Sequence, residues 1–290
     1  MTAPQTLLKA WNLKAHKALS QNFLKEPTIC RQIVSLAKID KPETVLEIGA
    51  GLGAMTVELA VKARQVIAVE KDRQLVPLLR AELLAQRVQN VQLLQQDILS
   101  LEWEPLVRSL DKPLVVMGNL PYNISSQIIV MLIRERQWVD RAVLMFQKEL
   151  ADRLVAGPGS KTYGRLSVML QYYADVARLR TIPAKMFYPK PKVDSALLGV
   201  QFKAQIDSPA TDEKLLARVV QAAFGQRRKT MRNALSAGLL PLDAPAAETV
   251  LNTSRIDPRR RAETLSVEEF VVLSNQVQTY IKSITSSRQC

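Results

Sequence analysis

VLEIGAGLGAMT, residues 45–56, sets three glycines at alternate positions (Gly49, Gly51, Gly53) between an apolar run and a segment of helical character. Glycines at a strand-to-helix turn permit positive φ and let a ligand lie against the backbone. Gly49, Gly51 and Ala54 satisfy the spacing G-x-G-x-x-G/A, and an acid, Glu70, closes the next apolar run, where it is suited to accept from ribose hydroxyls. The pattern predicts an adenosine-containing cofactor. By itself it does not separate a nicotinamide dinucleotide from other adenosine cofactors.

Working outward, apolar runs of strand length recur: TVLEIG (44–49), QVIAVE (65–70), VQLLQQD (91–97), PLVVMGN (113–119) and RAVLMFQ (141–147). Helix-length segments separate them, which implies βαβ units and a parallel sheet. ARLRTIPAKMF (177–187) and SALLGVQFK (195–203) read as the last strands, around the proline-stiffened loop YPKPKVD. Ligands in such sheets sit beyond the carboxyl ends of the strands, so Glu70, Asp97, Asn119 and Gln147 are the side chains expected to face one. Pro27 opens a helix carrying Ile29, Ile33, Val34 and Leu36. AQIDSPATDE (204–213) is a break in composition with a capping pattern at Thr211, and the chain beyond it is helical in character. The expected organisation is a basic arm at 1–20, a Rossmann-like α/β domain at 21–204 and a small helical domain at 205–290.

The 290 residues include 40 basic and 27 acidic side chains, a net charge of +13, which favours a polyanionic partner such as nucleic acid. Two cysteines and one histidine (His16) leave no disulfide framework, no histidine-based triad and no metal cluster to expect. No segment has the ~20 continuous apolar residues of a membrane helix, and MTAPQTLLKAWNLKAHKALS lacks the apolar core of a secretory signal. A cytoplasmic monomer, with neither membrane nor metal, is expected.

A second stretch, GNLPYNISS (118–126), follows the buried run PLVVM. Asn119-Leu120-Pro121-Tyr122 offers two acceptor carbonyls on a stiffened backbone and then a flat ring, a combination that suits a planar base with an exocyclic amine. Glu47 places a carboxylate near the reacting end of the cofactor, better matched to a cationic amino-acid tail than to a pyrophosphate. Asp97 is placed to accept from an adenine amine. Amine and sulfonium at one end and adenosine at the other describe S-adenosyl-L-methionine.

With LEIGAGLG and GNLPYN both present, the sequence resembles the ribosomal RNA adenine dimethyltransferases. The nearest branch is the bacterial one that dimethylates two adjacent adenosines near the 3′ end of small-subunit (16S) rRNA. SQNFL (20–24) is similar to the family's GQNFL, with Ser20 for glycine, and GAGLG to GPGLG, with Ala50 for proline. FQKELADRL, YGRLSV, FYPKPKVDS and AAFGQRRKTMRNAL follow in family order. The resemblance implies a class I methyltransferase sheet of seven strands with a small C-terminal helical domain. It implies that Asn22 and Leu24 close over the cofactor. Gly49 and Gly51 would line its methionine end, Glu70 its ribose, and Asp97 with Ile98 its adenine, with Lys71 also against the cofactor; Asn119 would stand where cofactor and base meet.

Asn119 and the Leu120 carbonyl would each accept one N–H of the adenine amine and hold its nitrogen pyramidal, with Pro121 fixing the backbone. Tyr122 would supply one stacking face for an extruded base and Phe187 the other. Arg227, Arg228, Lys229 and Arg232 read as one helix, with Arg228 and Arg232 a turn apart; with Arg259–Arg261, Lys190 and Lys192 they are expected to contact phosphates. A large-subunit adenine methyltransferase and a methylation-independent ribosome-assembly factor are the competing readings. FGQRRKTMRNAL (224–235) favours the small-subunit enzyme over the first. A nicotinamide oxidoreductase has no use for NLPY.

Overall fold

Val45–Ile48 are buried on every side chain, as continuous apolar runs are when helices cover both faces of a parallel sheet. The computed structural model describes residues 2–16, 19–108, 110, 113–226 and 228–286. Its strands are β1 (Phe23–Leu24), β2 (Thr44–Ile48), β3 (Gln65–Glu70), β4 (Val91–Gln95), β5 (Leu114–Asn119), β6 (Val139–Gln147), β7 (Ala174–Ile182), β8 (Phe187–Tyr188) and β9 (Ser195–Phe202). Seven of them form one sheet in the order β4-β3-β2-β5-β6-β9-β7, and β1 pairs with β8 apart from it. From β4 to β6 the pairings are parallel, while β9 runs antiparallel to β6. This is a class I methyltransferase sheet. The strand order reverses between β2 and β5, and a crevice opens there beyond their carboxyl ends.

Helices α1 (Pro4–Ala10), α2 (Pro27–Leu36), α3 (Ala54–Lys62), α4 (Leu75–Ala85), α5 (Trp103–Val107) and α6 (Ser125–Arg134) accompany the sheet. The chain goes on through α7 (Lys148–Leu154), α8 (Arg165–Tyr173), α9 (Glu213–Gly225), α10 (Met231–Leu235), α11 (Ala244–Thr253) and α12 (Val267–Ser286). Contacts divide it into two compact units, Met1–Ala151 with Asp175–Phe202, and Asp152–Ala174 with Lys203–Cys290. The linear division expected at 204 therefore differs from the folded one, because 152–174 goes with the C-terminal helices. In that unit Tyr173 O accepts from Lys203 N and the Tyr172 hydroxyl accepts from Ala210 N, both at 2.9 Å. The Tyr163, Phe224 and Phe270 rings cluster there at 5.8–6.0 Å.

Several boundaries move. The expected strand 177–187 ends at Ile182, Pro183 leads into a single turn, and Phe187 belongs to β8. α9 is capped by Asp212, whose carboxylate accepts from Lys214 N and Leu215 N, and not by Thr211. The helix expected through the basic run is broken: α9 stops at Gly225, and Thr230 is extended before α10. Arg228 and Lys229 lie in the turn between, only Arg232 is helical, and Arg227 lies outside the described residues. Nor is 1–20 simply an arm. Leu7 and Leu8 of α1 are buried in a cluster with Phe23, Leu52, Leu75 and Leu78.

Candidate active site

The loops after β2 and β5 meet because those strands are neighbours, Ile48 standing opposite Gly118. Gly49, Gly51 and Gly53 have φ of 72°, 57° and 84°, the left-handed region in which a side chain is strained. A Cβ at Gly51 would also stand 3.1 Å from the Phe23 ring. A cavity opens at the crevice. Among the residues lining it are Asn22, Leu24, Glu47, Gly49, Gly51, Glu70, Lys71, Asp97, Ile98 and Asn119 to Tyr122. The structure thus gathers these residues at one place, but Gln147, also expected to face a ligand, does not line the cavity.

The cavity is acidic. Glu47 is 1% exposed, its Oε2 has no hydrogen-bond partner, and burial pushes its carboxyl up to about 8. Glu70 accepts from Gly51 N and Asp72 N, one at each oxygen and both at 2.8 Å; burial raises its pKa while these bonds oppose the shift. The Lys71 backbone faces it as well, and the lone pair that remains is open to a hydroxyl. Asp97 stands two residues past the end of β4, accepting from Lys71 Nζ at 2.7 Å and from Leu99 N at 3.0 Å, and the Lys71 bond holds its carboxyl below the ordinary range.

At the other rim, Asn119 Nδ2 donates to Asn22 O at 2.7 Å, which leaves Oδ1 as the acceptor end of the amide. Leu120 N donates to Met145 O, and Pro121 O accepts from Ser125 Oγ and Ile124 N, so the loop is pinned on both sides. The Tyr122 hydroxyl shares a 2.8 Å hydrogen bond with Ser195 Oγ, and Ser195 is itself fully buried. Phe187 is a correction. It is 1% exposed, packs in the core with Leu24 and Leu197, and does not line the cavity.

The donor set fits S-adenosylmethionine. A buried carboxyl with one oxygen unpartnered suits a cationic end, and a carboxylate held by the backbone beside the glycines suits a ribose. Chain comparison agrees. The family model "Ribosomal RNA adenine dimethylase" matches residues 12–278. The chain belongs to that family. S-adenosylmethionine is the family's methyl donor and the cofactor here. A relative from Desulforapulum autotrophicum, "Ribosomal RNA small subunit methyltransferase A", is 47% identical over 275 residues, covering 95% of this chain and 96% of the relative. A dimethyladenosine transferase from Plasmodium falciparum superposes with a TM-score of 0.77 at 26% identity, over 89% of this chain and 98% of that one. The 23S rRNA methyltransferase ErmE superposes with a TM-score of 0.68 at 24% identity, over 89% of this chain and all of the other; that likeness concerns the fold alone.

Of the basic side chains expected at RNA, Lys190, Lys192, Arg228 and Lys229 are exposed. Arg232 is paired with Glu248 at 2.9 Å, and Arg260 with Glu269. Three residues escaped the sequence reading: Gln21, Asp72 and Ser195. Asp72 had a signal, since an acid two places after Glu70 in VEKD can cap the turn that leads away from the strand.

Proposed function

We propose that this chain dimethylates the exocyclic N6 amines of two adjacent adenosines near the 3′ end of small-subunit (16S) rRNA during biogenesis of the subunit, with Asn119, Leu120, Pro121 and Tyr122 as the base clamp. The observation that carries the reading is the Asn119 amide. Its nitrogen is committed to Asn22 O, so its oxygen is the end available to an adenine N–H. When bound, S-adenosylmethionine supplies an electrophilic methyl group. Glu47 and Glu70 hold the donor's cationic and ribose ends. Asn119 Oδ1 and the Leu120 carbonyl accept the two N–H groups and turn the nitrogen lone pair away from the ring. Their dipoles stabilise the positive charge on nitrogen as its bond to carbon forms, and the surplus proton then passes to solvent. Tyr122, held by Ser195, offers its ring to one face of the base. Exposed Lys190, Lys192, Arg228 and Lys229 are assigned to phosphates, and they position the RNA without reading its sequence.

The test is transfer of labelled methyl from S-adenosylmethionine to small subunits isolated from cells lacking the protein, with large subunits and free rRNA alongside. Dimethyladenine in the small subunit alone, reduced at least about 100-fold by Asn119→Ala, is the expected result. Label in large-subunit RNA would overturn the substrate, and undiminished transfer by the variant would overturn the role of Asn119.

A further inference from the structure

Residues 20–24 cross the rim of the cavity with attachments on both sides. Toward the ribose carboxylate, Gln21 Nε2 donates to Asp72 Oδ2 at 2.7 Å, and Asp72 N donates to Glu70 Oε1 at 2.8 Å. Gln21 Oε1 is occupied as well, by His16 N at 2.8 Å. Toward the base clamp, Asn22 O receives the Asn119 amide at 2.7 Å, while Asn22 Nδ2 turns back to Ser20 O at 2.9 Å. Beyond it, Phe23 lies over Gly51, and Phe23 and Leu24 pair with Tyr188 and Phe187. Ser20 begins the crossing in the left-handed region at φ 52°, where glycine would be unstrained.

An asparagine amide has two nearly equivalent orientations about χ2. In one, oxygen faces the adenine amine and accepts a hydrogen bond; in the other, two donors face each other. The Asn22 carbonyl selects the first. Its position is set on one side by the β1–β8 pairing and on the other by Gln21. We propose that Gln21 is a positioning residue for methyl transfer: its hydrogen bond to Asp72 holds the Asn22 carbonyl where it orients the Asn119 amide. Covering the cofactor and assembling the base clamp are then one event, made by a single run of five residues. This rests on the reading of Asn119 given above.

Three variants test it: Gln21→Leu, Gln21→Glu, and Gln21→Glu combined with Asp72→Asn. The combination reverses donor and acceptor while keeping the shape of both side chains. It also keeps acceptors for His16 N and for Gln74 N, which donates to Asp72 Oδ1 at 2.9 Å. The measurements are the single-turnover methyl-transfer rate at saturating S-adenosylmethionine, the dissociation constant of that cofactor, and Tm, with Asn119→Ala run in parallel. The expected result is a loss of about tenfold in rate for each single variant, at a Tm near wild type, and recovery to within about threefold in the combination. A wild-type rate in folded Gln21→Leu, or a combination no faster than Gln21→Glu, would overturn the proposal while leaving Asn119 intact. A wild-type rate in Asn119→Ala would instead remove the reading on which it rests.

Discussion

Glu47 makes the cavity sensitive to pH. A carboxyl whose folded pKa stands near 8 keeps a proton that the unfolded chain, near 4.5, has already released. Its contribution to stability is therefore full below about 4.5 and is lost as pH rises toward about 8. A cationic ligand favours the ionised form, so binding expels that proton. S-adenosylmethionine affinity is expected to rise from about pH 6 to about pH 8, by up to about tenfold per unit, and to lose that slope in Glu47→Gln; titration calorimetry at several pH values reads both. Tyr122→Phe and Ser195→Ala each remove the same hydrogen bond, and each is expected to slow transfer about fivefold. The two together should cost scarcely more than either alone, as a double-mutant cycle would register. The gathering of Glu47, Glu70 and Asn119 at one cavity was largely legible. Glu70 and Asn119 announce themselves because each ends an apolar run, and Glu47 because it interrupts one just before the glycines. Phe187 misled, since in KMFYP two aromatics stand side by side and only the pairing of β1 with β8 decides which one turns inward.

At the scale of elements, the β2–β5 contact constrains the crevice through backbone. A Cβ at Gly118 would stand 2.7 Å from Ile48 O, a backbone atom that cannot step aside. Gly118→Ala is expected to destabilise the protein by about 1–3 kcal/mol and to weaken cofactor binding with it; thermal melts with and without S-adenosylmethionine measure both. Asp212→Ala removes the α9 cap. It should cost about 1 kcal/mol and leave cofactor affinity unchanged. Strands could be read to within a few residues because buried parallel strands are continuous apolar runs. The end of α9 at Gly225 could not. QRRKT is compatible with a helix, yet α9 stops before it and Thr230 is extended.

On the scale of the whole molecule, a net charge of +13 is expected to make association with small-subunit rRNA strongly salt-dependent. Replacing both Lys190 and Lys192 by Ala should reduce the slope of log affinity against log salt by about two, with cofactor affinity unaffected; filter binding over a salt series checks it. What linear order hides is that 152–174 belongs with 203–290, for nothing local marks a segment whose partners come after three further strands. That discontinuity matters during synthesis. Tyr163 emerges from the ribosome well before Phe224 and Phe270, and Tyr172 before the Ala210 amide that its hydroxyl accepts. A nascent chain halted after β9 carries a complete sheet and an unburied aromatic segment spliced into it. Such a chain is expected to bind holdase chaperones through 152–174, and to let go once α12 has been made.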